Sequence, residues 1–164
     1  MDYEKIVTEN IDFVYRMSLC YCKNQRDAED VVQNTFLKLI QSKQEFADDA
    51  HIRKWLVRVA VNECKNIWKS YWNRNVISLD TLEYELEMTR TEEQQELLQA
   101  VMALSPKYRI VVHLYYYEGY HVKEIADMLH LSESNVQIRL MRARKKLKDL
   151  LEEESVYQSR QQGC

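Results

Sequence analysis

The residues of this chain that could do covalent chemistry are few and scattered. Cys20, Cys22, Cys64 and Cys164 and the histidines His51, His113, His121 and His130 show none of the spacings that gather ligands around a metal. Cys20 and Cys22 stand two apart on a predicted helix and therefore point different ways. The sequence holds no P-loop, nucleophile elbow, zinc motif or carboxylate constellation, so neither an enzyme, a metal site nor a cofactor is expected. Reduced thiols are the plain reading of the cysteines. What is left is the chemistry of recognition. Asn135, Arg139, Arg142 and Lys146 recur at helical spacing and could together form a basic, hydrogen-bonding face.

Those residues need a helix that presents them, and Val122–Leu147 supplies one. Ile125, Ala126 and Leu129 form an apolar stripe at helical spacing, and small Ala126 permits close approach of a second helix. His130-Leu131-Ser132 breaks the pattern, with Ser132 as an N-cap. Beyond it Val136, Leu140, Ala143 and Leu147 share one face, while Asn135, Arg139, Arg142 and Lys146 fall away from its centre. The pattern fits a helix-turn-helix. Taken alone, it also fits an ordinary helical hairpin with a solvated basic face.

The chain has 164 residues with two glycines and one proline, which favours an all-α protein over a sheet. No apolar run is long enough to span a membrane and no signal peptide is evident, so a cytoplasmic protein without membrane insertion is expected. The net charge of −3 conceals an uneven distribution. Lys/Arg against Asp/Glu is 12 to 11 over residues 1–75, 1 to 6 over 76–95, 9 to 6 over 96–150 and 1 to 3 over 151–164. Two mildly basic bodies are thus separated by an acidic connector.

Three helices are predicted before the connector. The first runs from about Tyr3 to Cys22 with Val7, Ile11, Val14 and Met17 as its stripe. The second is capped by Asn24, extends to about Gln41 and buries Val32, Phe36, Leu39 and Ile40. A polar loop, 43–49, carries one aromatic, Phe46. The third helix, about Ala50 to Tyr71, clusters Ile52, Leu56, Val59, Ala60 and Ile67 on one side and Lys54, Arg58, Asn62, Lys65 and Lys69 roughly opposite. Trp55 lies at the seam, and Glu63 falls on the apolar side without an evident reason. A cationic face flanked by tryptophans suits unstacked bases and phosphates, although a surface helix with core tryptophans would look the same. After the connector, a short helix from near Glu96 ends before Ser105-Pro106, which starts the next; Gly119 fits its left-handed C-cap. The charged tail after Leu151 is expected to fray.

Taken in order, three stretches resemble bacterial RNA polymerase sigma factors of the sigma-70 family, extracytoplasmic-function group. Asp27–Ile40, DAEDVVQNTFLKLI, is similar to the family's polymerase-binding helix. Arg53–Asn66, RKWLVRVAVNECKN, is similar to its helix for the melted promoter. Leu104–Leu147 resembles its closing promoter-reading domain. The family usually has Gly where His130 stands, so some strain is expected in the turn.

The resemblance implies two small helical domains joined by a flexible acidic linker. Residues 1–75 correspond to sigma region 2, 76–95 to the linker, 96–151 to the region 4 helix-turn-helix and 152–164 to a charged tail. It implies docking on core RNA polymerase through Asp27, Asp30, Gln33 and Asn34. Phe46, Trp55, Arg58, Asn62, Lys65 and Lys69 are implied at the minus-ten promoter DNA, with one base flipped from the non-template strand. Ser134, Asn135, Ile138 and Arg139 are implied at the base edges of the minus-thirty-five element, and Arg142, Lys145 and Lys146 at its phosphates. It also implies an anti-sigma factor as a partner and a role in a stress or envelope response. A stand-alone helix-turn-helix regulator would explain the C-terminal body but leave residues 25–75 without a role.

Overall fold

The computed structural model describes residues 1–74 and 91–163, and every described element is helical. Helices α1 (Tyr3–Cys22), α2 (Gln25–Gln41) and α3 (Asp49–Arg74) form an N-terminal group. Helix α4 (Glu92–Ala103), α5 (Pro106–Val112), α6 (Val122–Leu129) and α7 (Glu133–Gln162) form the C-terminal one. Residues 75–90, most of the acidic connector, lie outside the described residues.

Local chemistry explains the boundaries. Asn24 Oδ1 accepts from Asp27 N at 3.0 Å and starts α2, as its position predicts. Lys23 takes a left-handed conformation, φ 58°, to close α1. Asp48 Oδ1 accepts from His51 N at 2.7 Å, so α3 has an N-cap that the polar loop concealed. Thr91 and Gln94 form a reciprocal capping box, which begins α4 at Glu92 instead of near Glu96. Gly119, with φ 74°, sits at the left-handed position expected of it.

Two findings depart from the periodicity. α5 does not run on as an α-helix: His113–Tyr117 is a π-helical turn closed by Glu118 N donating to His113 O at 3.0 Å. One extra residue in the turn rotates the aromatic run relative to α5. The tail does not fray either. α7 continues to Gln162, where Gln158 Nε2 donates to Glu96 Oε1 at 2.8 Å and ties the extension to α4. Thirty residues at 1.5 Å rise make a rod about 45 Å long.

The stripes are also rotated from their sequence reading. In α1 the buried apolar positions are Ile6, Phe13, Val14, Met17, Cys20 and Tyr21, whereas Ile11 is exposed. In α2 Ala28, Val31, Phe36 and Leu39 are buried, and Ile40 faces solvent. In α3 Val57, Val61 and Cys64 join Ile52, Leu56 and Ala60 inside, while Val59 is only half-buried. Glu63 is buried for a reason that lies in another helix: its carboxylate pairs with Lys38 and accepts from Asn34 Nδ2 at 3.4 Å, both on α2.

The two helical groups touch. One continuous apolar core joins Val14, Met17, Leu56, Val57 and Ala60 to Ile110, Val111, Leu114, Ile125, Met128 and Leu140. A smaller cluster of Val101, Leu104, Tyr108, Val112 and Ala143 secures α4 and α5 on α7. Arg109 crosses the seam fully buried. It donates to the carbonyls of Cys20 and Tyr21 at the end of α1 and to Leu104 O at 2.7 Å and Met102 O at 3.3 Å at the end of α4. One guanidinium therefore satisfies the orphan carbonyls of two helix C-termini and interacts favourably with both dipoles.

Candidate nucleic-acid interface

The helix-turn-helix is α6, the His130 turn and α7. Ser132 Oγ accepts from Asn135 N at 3.1 Å, which contributes about 1 kcal/mol to the start of α7. Val136, Leu140 and Ala143 are buried against the rest of the C-terminal group, so the opposite face is free. That face carries Ser134, Ile138, Arg142 and Lys145, all exposed. It also carries Met141, 60 % exposed, and Gln137 on its flank, neither of which charge patterning alone brings forward.

Asn135 and Arg139 are half-buried and bonded to each other: Arg139 Nε donates to Asn135 Oδ1 at 2.9 Å. The cations further along are also partly engaged. Lys146 Nζ lies 4.7 Å over the Tyr108 ring. Burial would raise the Tyr108 phenol, but a hydrogen bond with Arg142 and the charges of Lys107 and Lys146 hold its pKa below the usual tyrosine value. Arg144 donates to Tyr116 Oη at 2.6 Å and stacks over Tyr115 and Tyr116. Lys145 is exposed with its charge available to phosphate.

On α3, Trp55 is half-buried and meets Phe46 edge-on at 5.8 Å; Phe46 in turn packs edge-on against His51 at 5.3 Å. The loop is closed by Ala47 N donating to His51 Nδ1 at 3.2 Å. Phe46 and Trp55 are thereby brought to one spot from nine residues apart. Asn62, Lys65 and Lys69 are exposed along the same helix, with Trp68 partly exposed beyond them. Arg58 is half-buried instead, and its Nη2 donates to Asp127 O on α6 at 3.3 Å. Cys64 is screened from chemistry. Contact with Cys22 and then burial push its thiol well above the ordinary range, so it stays protonated.

Comparison with known proteins completes the identification. Residues 6–74 match Sigma-70 region 2, and residues 94–147 match Sigma-70, region 4. The chain is 30 % identical over 152 residues to the ECF RNA polymerase sigma factor SigL of Mycobacterium tuberculosis, covering 88 % of this chain and 86 % of that one. This chain belongs to the ECF sigma factors. It is also 25 % identical to RNA polymerase sigma factor SigV of Bacillus subtilis, over 92 % of this chain and 91 % of the relative. The fold is shared with the sigma factor RpoE of Bartonella quintana in its complex with the anti-sigma factor NepR, at a TM-score of 0.75 and 20 % identity, covering 92 % of this chain and 97 % of that one.

As a sigma factor the protein directs transcription initiation and performs no covalent step itself. Among the described residues no group of His, Cys, Asp and Glu could hold a metal, and no helix is long and apolar enough to cross a membrane. Asp27 is buried at the first turn of α2, where its backbone N–H is capped by Asn24. Asp30, Gln33 and Asn34 are exposed, and Leu37 (47 % exposed) and Ile40 (53 % exposed) extend the same face. Two exposed aliphatics beside three polar groups form a patch that the burial pattern expected of α2 had hidden.

Proposed function

We propose that this sigma factor grips a promoter at two points while it is held on core RNA polymerase by α2. The polymerase contact is made by Asp27, Asp30, Gln33 and Asn34, with Leu37 and Ile40 supplying apolar area. The minus-ten strand is taken by α3 and the preceding loop. Phe46 and Trp55 bound the place of a flipped base, Asn62 lies where it can hydrogen-bond the strand, and Arg58, Lys65 and Lys69 neutralise phosphates. The packing of Phe46 on Trp55 at 5.8 Å is the observation that carries this part, because flipping costs a few kcal/mol that stacking must return.

The minus-thirty-five element is read by Ser134, Asn135, Ile138 and Arg139 from the N-terminal end of α7 in the major groove. Arg142, Lys145 and Lys146 position the helix on phosphates. Residues 1–75 act as region 2, 76–95 as the connector, 96–151 as region 4 and 152–164 as a charged tail. The protein works in the cytoplasm, in a stress or envelope response, and is kept in check by an anti-sigma factor. The complex of RpoE with NepR supports that last role by analogy of fold.

Run-off transcription with core polymerase on a library randomised at both elements tests the reading. Enrichment at two separated elements is expected. Transcription that depends on neither element overturns the two-point grip. Specific binding of duplex DNA by the sigma factor alone would favour the stand-alone regulator.

A further inference from the structure

We propose that α7 reads the methyl groups of thymines in two neighbouring base pairs through an apolar strip made by Ile138 and Met141. The buried stripe of this helix is Val136, Leu140 and Ala143. On the opposite side Ser134, Ile138, Met141 and Lys145 recur at steps of four, three and four residues, and all are exposed. Ile138 is 43 % exposed and Met141 60 % exposed, and neither belongs to either apolar cluster of the described residues. They stand at the middle of the free face, shortly after α7 begins at Glu133. Asn135 and Arg139, which are bonded to each other, lie half-buried to one side of it. The centre of the reading surface is therefore apolar, with the exposed cations Arg142 and Lys145 beside it.

The chemistry of the major groove leaves one partner for such a strip. Guanine, cytosine and adenine present hydrogen-bonding groups there, whereas thymine adds a C5 methyl. An isoleucine side chain makes no hydrogen bond, and a methionine sulfur is only a weak acceptor. Set against an amino group or a ring nitrogen, either side chain would strip water from a polar group without replacing its hydrogen bond. Against a methyl, both surfaces lose water together and nothing polar is left unpaired. The spacing also fits. Three residues of helix rise about 4.5 Å, close to the separation of about 3.4 Å between stacked base pairs. Ile138 is β-branched and held near one rotamer on a helix, so its contact is fixed in place. Met141 is unbranched and can follow its base through small changes of register. Arg142 and Lys145 supply the attraction to phosphate that the strip lacks.

The inference rests on the assignment of α7 to the minus-thirty-five element, and the experiment separates the two. Holoenzyme is bound to a promoter carrying the upstream element it selects from a randomised library. Each thymine of either strand is replaced in turn by deoxyuridine, which removes the methyl and nothing else. Two neighbouring positions should each lose about fourfold in affinity, as expected for one buried methyl. Ile138→Ala should abolish the sensitivity at one position and Met141→Ala at the other, because a methyl without a partner no longer matters. Both substitutions fall at exposed helix positions, so helical circular dichroism should stay at the wild-type level. 5-Methylcytosine at either position should bind better than cytosine. Deoxyuridine tolerated throughout, a methyl effect that survives both alanine variants, or a selected element of G·C pairs alone overturns the strip. If Arg139→Ala still relaxes base preference at the element, only the strip falls. If Ile138→Ala, Met141→Ala and Arg139→Ala all leave that preference unchanged, the assignment of α7 falls with it.

Discussion

Arg139 Nε donates a 2.9 Å hydrogen bond to Asn135 Oδ1, one turn back on the recognition helix. The two strongest base-reading candidates are thus already a unit. Asn135 keeps its amide N–H groups free while its oxygen is engaged, and Arg139 is oriented before DNA arrives. Asn135→Ala should cost about 1–3 kcal/mol of discrimination at one minus-thirty-five position and also loosen the preference read by Arg139. A double-mutant cycle with Arg139→Ala on promoter variants should show coupling. Strictly additive losses would mean that the pair does not act together.

The exposed aliphatics of α2 should matter to docking and not to folding. Leu37→Asp or Ile40→Asp is expected to weaken binding to core polymerase by about tenfold, or about 1.4 kcal/mol, because each removes apolar area from the docking face. Thermal unfolding of the free chain should change little, since surface substitutions generally stay within about 0.5 kcal/mol. A normal polymerase affinity would place the contact elsewhere.

Removing the buried Arg109 guanidinium should be costly. Arg109→Met leaves carbonyls of two helix ends buried without a donor, and a loss of about 3–5 kcal/mol is expected in denaturant unfolding. Arg109→Lys should recover only part of it, because one ammonium cannot reproduce a planar fork reaching both helix ends. Full stability in the lysine variant would show that charge alone suffices.

Stability should fall on the alkaline side in a way that His113 explains. Burial pulls His113 down, but contacts with Cys20 and Glu118 outweigh it and raise its pKa to about 9. His113, then Arg16, hold Glu118 down to about 2 against its own burial. A raised histidine stabilises fully below its unfolded value of about 6.5 and loses that contribution as pH rises towards 9. A depressed carboxylate contributes above its unfolded value near 4.3 and loses it as pH falls towards 2. The denaturation midpoint should therefore be highest between about pH 4.5 and 6.5 and decline from 6.5 to 9. In His113→Gln that alkaline decline should flatten, and an unchanged slope would remove His113 as its cause.

His130 sits in the left-handed turn of the helix-turn-helix with φ 54°. A non-glycine residue there costs about 1–2 kcal/mol, against about 0.5–1 kcal/mol of extra chain entropy for glycine in the unfolded state. His130→Gly should therefore stabilise the chain slightly, by about 0.5–1 kcal/mol in equilibrium unfolding. A destabilised glycine variant would mean that the imidazole makes a contact worth more than the strain.

The elements of this sigma factor are determined locally, and the sequence therefore shows them plainly. Caps at Asn24 and Ser132, the Ser105-Pro106 start and the Gly119 stop are interactions within a few residues of each other. The helix-turn-helix stripe of Val136, Leu140 and Ala143 follows from helical period alone, and the order of the three motifs identifies the family. Only tertiary structure decided what depends on a partner helix. Glu63 is intelligible once Lys38 and Asn34 stand opposite it, and Ile40 faces outward because α1 and α3 cover a different side of α2. The role of Arg109 exists only where the ends of α1 and α4 converge on it. Asp127 against Arg58 joins residues 69 apart, and nothing local to either announces the other. Charge and period constrain a helix face, but which face meets which is settled by the packing of the whole chain.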